Sequence, residues 1–232
     1  VPTSGTRCYL TLAGGVDVPV VLGSRSTQLR GQFGGYDGRQ LQKGDVLKAV
    51  GEGARTIPPD APHAAGFGTV PPEFTLPAPS ALPGATADEI AVRVLPAAEF
   101  ECYCPESLEA FWREGWKVTP QSDRYGYRLA GPTLRAMHAV EKRSHGIVPG
   151  VIQVPHNGQP IIQLRDAQPS GGYPKIGTVI EADLWRLAQA RIGTKIRFVL
   201  TTYPEAVAAL EELAGYLARV RNLVELFRSS RH

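Results

Sequence analysis

The chain has 232 residues, 43% hydrophobic and 20% charged, with a formal net charge of +3. This length supports one large domain or two modest ones, and the composition is that of an ordinary globular protein. Charge is spread evenly apart from a short basic tail at Arg228 to His232, so no nucleic-acid or membrane patch is implied; no apolar run nears the roughly 20 residues of a membrane helix and no signal-type core opens the sequence, which makes a cytoplasmic location the expectation.

Twenty-five glycines and 20 prolines are too many for a helical bundle, and short apolar runs alternating with turn signals predict a mainly β protein. In chain order the strand candidates are "RCYLTL", "PVVL", "IAVRVL", "FECYC", "GWKVT", "RYGYRL", "GVIQV", "PIIQL", "KIGTVI" and "KIRFVL". Strands this short are best closed into barrel lobes. The first has only six residues ahead of it, so its pairing partners are expected from another polypeptide or from sequence upstream of Val1. Between Gly51 and Ala85 lie eight prolines, read as an exposed connection between two lobes, residues 1–86 and 87–232. If "FECYC" is a strand, Cys102 and Cys104 share one face as small apolar side chains. With Cys8 they form an odd set without metal-ligand spacing, so no metal site is expected.

Helices are fewer. "PESLEAFW" carries proline at a permitted first-turn position, and "EADLWRLAQAR" sets Leu184, Leu187 and Ala188 on one side. From Pro204 to Phe227 an apolar stripe of Val207, Leu210, Leu213, Leu217, Val220, Val224 and Phe227 recurs every three or four residues and is expected to pack on the parent barrel.

Three polar clusters could carry chemistry. In "RDAQPSGGYPKIGTVIEADL", Arg165 and Asp166 leave a strand, Gln168 sits in the turn, and Gly171 and Gly172 allow a close approach to an anion or carbonyl oxygen before Tyr173 and Lys175. Just upstream, "SHGIVPGVIQVPHNGQPIIQL" places Gln153 and Gln159 near a turn with His156 and Asn157. Their side-chain amides offer both donor and acceptor, which suits another amide, a lactam or a urea. The histidines, His138, His145 and His156, read as solvated residues before they read as bases. In "SDRYGYRLAGP" a strand would align Arg124, Gly126 and Arg128 on one face, a two-arginine clamp for carboxylate or phosphate. In "LGSRSTQLRGQFGG" the turn around Arg25 offers further anion-binding donors, and Gly34 and Gly35 mark a tight loop. No phosphate-loop, dinucleotide, nucleophile-elbow or zincin motif is present.

These residues resemble a known family. "AGGVDVPVVLGSRSTQLRGQFGG", "SDRYGYRLAGP" and "PGVIQVPHNGQPIIQLRDAQPSGGYPKIGTVIEADL" are similar, in order and over nearly the whole chain, to the biotin-dependent carboxyltransferase or allophanate hydrolase second-subunit family. Its bacterial members include the C subunit of ATP-dependent 5-oxoprolinase and KipA, the antagonist of a sensor-kinase inhibitor. The chain departs from the family pattern at Gln28, Tyr125 and His145, where an acidic residue, methionine and glutamate are common. The resemblance implies cyclophilin-like β-barrel lobes, a KipI-like companion (the B subunit) and a separate hydrolase (the A subunit). It implies opening of the 5-oxoproline lactam with ATP and magnesium, or carboxyl transfer from biotin to urea, or protein binding by a regulator that is not an enzyme. On the first of these readings Asp166 and Lys175 are the catalytic candidates. Gln153, Gln159, Gln168, Gly171, Gly172 and Tyr173 would hold substrate, and Arg25, Arg124 and Arg128 would neutralise its anionic groups.

Overall fold

The computed structural model describes residues 5–12, 14–51, 89–138 and 143–229; the proline-rich connection and the end of the basic tail lie outside them. Contacts divide the chain into two compact units, one of Val1–Arg7 with Phe67–His232 and one of Cys8–Gly66.

The larger unit is a closed seven-stranded barrel. Its strands are β1 (Glu89–Pro96), β2 (Trp116–Val118), β3 (Gly126–Ala130), β5 (Val151–Gln153), β6 (Ile161–Gln163), β8 (Lys175–Val179) and β9 (Lys195–Leu200). They run in the order β1-β8-β5-β6-β3-β2-β9, and a parallel β1–β9 pair closes the ring. Two-residue strands β4 (His145–Gly146) and β7 (Ser170–Gly171) make a separate small sheet. The mainly β barrel architecture with a C-terminal helix is thus the fold.

Alternation explains the closure. Val92 and Val94 of β1, Tyr127 and Leu129 of β3, Ile152, Ile162, Ile176, Ile196 and Phe198 all point into one core and are at most 5% exposed. Removing side chains of this kind from water is worth about 1.5–3 kcal/mol each. Helix α1 (Pro105–Arg113) adds Phe111, stacked on Phe198 at 4.6 Å between centroids, and Trp116 donates its indole N–H to the Phe111 carbonyl at 3.1 Å.

Several predicted elements differ. "FECYC" is no strand: the Phe100, Cys102 and Tyr103 amides bond three residues back, so Phe100–Cys102 is a 3-10 turn, and Cys104 precedes the Pro105 that starts α1. "EADLWRLAQAR" shortens to a 3-10 turn (Glu181–Asp183) and a four-residue helix α2 (Leu184–Leu187). Helix α3 (Tyr203–Ser229) forms over the predicted span, but only part of the apolar stripe faces inward. Ala209 and Tyr216 are buried and Leu213, Val220 and Val224 half-buried, whereas Val207, Leu210 and Leu217 stay exposed. Small Ala206 and Ala209 let the helix lie close to Ile180 and Ala182, which rotates the larger leucines outward.

"RCYLTL" and "PVVL" are not strands either. Among the described residues of 8–51 the pairing is limited to isolated bridges at Val16 with Ala49, Val21 with Ser24 and Gln28 with Phe33. Among the described residues there, only Gly35 and Gly38 are buried, while Tyr9, Leu10 and Leu22 are 85% or more exposed. A half-buried strand needs a ladder and a core, and these residues have neither. Their shape comes from turns instead. Leu22 and Gly23 hold φ of 51° and 77° in a two-residue turn whose flanking amides and carbonyls exchange hydrogen bonds between Val21 and Ser24.

Candidate functional site

Register builds the site. Opposite residues in an antiparallel pair project on the same face. The pairings Lys175 with Gln153, Gln153 with Ile161, and Ile161 with Arg128 therefore set one row of four side chains across β8, β5, β6 and β3. Core residues Ile152, Ile162 and Tyr127 alternate with this row, so it lies on the outer surface of the barrel.

A β-bulge places Lys175 there. Ile152 opposes Gly177, so regular pairing would oppose Gln153 to Ile176; the register shifts by one and Lys175 takes that position instead. Ile176 stays in the core at 0% exposure. Bulges commonly re-aim side chains beside functional sites.

Although Gln153 is on the outside of the barrel, it is only 4% exposed, because Gly171 of β7 covers it. A methyl group at Gly171 would stand 2.4 Å from Gln153 Nε2, so only glycine lets the covering strand come this close. Gln153 Oε1 accepts a hydrogen bond from Gln163 Nε2 at 3.0 Å, whereas Gln153 Nε2 is buried without a partner. Such an orphaned donor calls for a specific explanation. Lys175 is 8% exposed and its Nζ donates to the Tyr173 carbonyl at 3.5 Å.

Beside the row opens a cavity of about 510 Å³. Arg128 and Ile161 of the row line it, with Thr119, Asn157, Gln159 and Tyr173. Arg128 makes no side-chain hydrogen bond or ion pair among the described residues. Thr119 follows β2, its amide donates to the Arg128 carbonyl, and its buried hydroxyl has no partner. Tyr173 is half exposed and meets His156 edge-on at 6.3 Å.

Other expected site residues have different surroundings. Asp166 pairs with Arg124 at 2.6 Å, both partly exposed, and among the described residues neither lines the cavity. The two-arginine clamp on one strand face is not formed, because β3 begins at Gly126. Asp123 Oδ1 accepts the Tyr125 and Gly126 amides and holds Arg124 in the preceding turn. Gln159 is tied to the Gly131 backbone at both ends, accepting its amide at 3.0 Å and donating to its carbonyl at 3.2 Å. Gln168 is exposed in the hairpin, and Gly172 follows β7, half-buried. Arg25 belongs to the Cys8–Gly66 unit, where its Nε donates to the Val18 carbonyl at 3.3 Å.

Sequence reasoning missed Ile161, Thr119 and above all Gln163. The alternation in "PIIQL", with Ile162 inward, was the available signal, since it puts Ile161 and Gln163 together on the outer face. Among the described residues no group of three or more His, Cys, Asp or Glu side chains is placed to hold a metal ion. No helix among them is long and apolar enough to cross a membrane.

Comparison with known proteins places this geometry in a family. The chain is 41% identical over 219 residues to the C subunit of 5-oxoprolinase from Escherichia coli K12 and 38% identical over 221 residues to that of Haemophilus influenzae. These alignments cover 94% and 95% of the chain but 64% of each relative, so the chain spans less than two thirds of their length. Among solved structures, K. lactis urea amidolyase superposes with a TM-score of 0.71 at 27% identity, covering 92% of this chain and 13% of that one. The family model of the carboxyltransferase domain, subdomains A and B, matches residues 1–200, and the chain belongs to that family.

Proposed function

We propose that the chain is a component of an ATP-dependent 5-oxoprolinase complex, acting with companion subunits to open the lactam of 5-oxo-L-proline to glutamate. The observation that carries this reading is the buried, unpartnered Gln153 Nε2 in a row with two cations, Lys175 and Arg128. A lactam is a resonance-stabilised amide whose carbonyl oxygen gains negative charge as the ring opens. A preorganised N–H donor beside an ammonium group stabilises that charge, and removing one such donor costs on the order of 10²–10³ in kcat. Arg128, uncompensated at the cavity wall, is suited to the substrate carboxylate. The relatives at 41% and 38% identity are named as 5-oxoprolinase C subunits, which supports the same substrate.

ATP bound to the complex would supply the energy of lactam activation, as a phosphoryl donor to the amide oxygen. Lys175 and Arg128 are the cations of this chain that would neutralise the phosphate charge. The orphaned donor and the free guanidinium fit an oxygen-rich anionic ligand. Asp166 is held by Arg124 away from the cavity lining, so a role for its carboxylate in orienting the lactam N–H requires a substrate that reaches beyond the cavity.

A second reading, biotin-dependent carboxyl transfer to urea, is favoured by the structural likeness to urea amidolyase. Urea and the ureido ring of biotin present the same planar carbonyl to Gln153. The test reconstitutes the chain with its companion subunits and measures ATP hydrolysis with 5-oxoproline and with urea plus biotin. We expect stimulation by 5-oxoproline, its loss in Gln153→Ala and Lys175→Met, and a raised KM in Arg128→Ala. Carboxylation of urea without any response to 5-oxoproline establishes the second reading instead. Partner binding that survives Asp166→Ala with neither substrate turned over would make the protein a regulator.

A further inference from the structure

We propose that Gln159 is a positioning residue for substrate binding, whose side chain splints the cavity wall where the β3–β6 ladder breaks. The proposal rests on the reading of Arg128 and its cavity as the seat of the substrate carboxylate, and it places Gln159 in the wall rather than on the substrate.

Strands β3 and β6 pair from Gly126 opposite Gln163 to Arg128 opposite Ile161. One residue further the Leu129 amide donates to the Pro160 carbonyl at 2.9 Å, and Pro160 has no N–H to return the bond. Hydrogen-bonded pairs fall on alternate residues of an antiparallel ladder, so the next would join Gly131 to Gly158. Gly158 does not serve. Its φ of 72° turns the chain away, its amide donates to the Pro155 carbonyl at 2.9 Å and its carbonyl accepts from Leu134 at 3.0 Å.

The Gln159 side chain takes over that pairing. Its Oε1 accepts the Gly131 N–H at 3.0 Å and its Nε2 donates to the Gly131 carbonyl at 3.2 Å. Both partners are backbone groups of fixed polarity, so one orientation of the amide makes both bonds and the inverted one makes neither. Gly131 in turn rests on the core, since a methyl group there would stand 2.6 Å from the ring of the fully buried Trp116.

The splint bears on the cavity because the same turn supplies Pro155, Asn157, Gln159 and Pro160 to its lining, while β3 supplies Arg128 and Ala130. Gln159 thus fixes the spacing of the turn from the strand that carries the guanidinium. The Leu129–Pro160 and Leu134–Gly158 bonds keep the turn folded without it, so its loss loosens the wall and leaves the barrel intact.

The test uses Gln159→Leu, which removes both bonds at similar size, and Gln159→Glu, which keeps only the acceptor. In the full chain the Gly131 amide should exchange its hydrogen about tenfold faster in Gln159→Leu, as expected for one lost bond. In the reconstituted complex KM for 5-oxoproline should rise about tenfold with kcat changed less than about twofold, and Gln159→Glu should lie between. Added to Arg128→Ala, Gln159→Leu should raise KM little further, because the wall acts through that cation. A purely structural role would instead remove active molecules, lowering kcat at unchanged KM, and that result overturns the proposal. Unchanged Gly131 exchange in Gln159→Leu overturns the splint whatever the substrate. Faster exchange at wild-type KM, with KM raised in Arg128→Ala, overturns the positioning role while the carboxylate reading stands. Wild-type KM in both variants overturns the carboxylate reading and this proposal with it.

Discussion

Asp183 carries more structural weight than any residue singled out from sequence. It is fully buried, and its carboxylate accepts the Arg93 backbone N–H at 2.8 Å, Nε at 2.9 Å and Nη2 at 2.7 Å, so a whole guanidinium edge and an amide converge on one group. The Asp183 hydrogen bonds, ahead of its charge, raise the Arg93 pKa further above its ordinary value. In "IEADL" this aspartate reads as the polar start of a helix, because its partner lies 90 residues away. Sequence showed a charge, while the pairing is a product of the closed barrel. Gln163 was hidden differently, since only the face it shares with Ile161 gives it a neighbour. Removing one partner of a buried ion pair costs about 3–5 kcal/mol, because the other charge is left uncompensated. Asp183→Ala should therefore lower the midpoint of thermal unfolding by roughly 10 °C, whereas Asp166→Ala, which removes a partly exposed pair, should shift it very little. Calorimetry on the two variants checks the contrast, and equal midpoints would refute it.

At the scale of elements, the strands of the barrel were legible and their registers were not. "IAVRVL", "KIGTVI" and "KIRFVL" alternate clearly or run apolar between turn signals, and each forms its strand. The bulge that sets Lys175 opposite Gln153 has no sequence signature in "YPKIG", because it depends on which strand lies alongside. Gly171 was read as a point where backbone could approach a ligand; its neighbour in the structure is the Gln153 amide. In Gly171→Ala the new methyl must displace either β7 or that amide, so kcat should fall by at least about tenfold with a modest stability change, as expected of a shifted donor. Steady-state kinetics of the complex tests this; unaltered kcat would mean that the cover over Gln153 is irrelevant. Helix α3 opens on a cap in which Glu205 accepts the Thr202 amide at 2.8 Å and the Thr201 hydroxyl at 2.9 Å. The Thr202 amide, followed by the threonine hydroxyls, lowers the Glu205 pKa. A lowered carboxylate pKa stabilises the fold above the unfolded value and ceases to do so as pH falls through the folded one. The first turn of α3 should accordingly lose hydrogen-exchange protection on acidification before its middle does, and a Glu205→Gln helix should show a weaker pH dependence there.

For the molecule as a whole, the two units differ in what holds them. The barrel unit has a continuous core from Val92 to Phe198, which its apolar periodicity announced. Residues 8–51 were read as containing strands because "RCYLTL" and "PVVL" have the composition of strands, but composition does not supply a ladder or a face to pack against. Here order rests on turns and on the ion pair of Arg39 with Asp45, whose two bonds of 2.7 and 2.9 Å are joined by the Gln42 amide at 2.7 Å. The Arg39 side chain first, and then the Gln42 backbone N–H, lower the Asp45 pKa to about 2. An unpaired aspartate titrates near 3.9. Because the folded value is the lower one, the stabilisation is complete above roughly pH 4 and is lost as pH falls through about 2. Carbon-detected titration of the Asp45 carboxyl should thus give a midpoint near 2 in the wild type and near the unpaired value in Arg39→Gln. In the same variant the amides of Gln42 and Asp45 should exchange faster at neutral pH while those of β1, β5 and β8 are unaffected. A wild-type Asp45 midpoint at the unpaired value would mean that the clamp does not form in solution, and that turn geometry alone orders the segment around it.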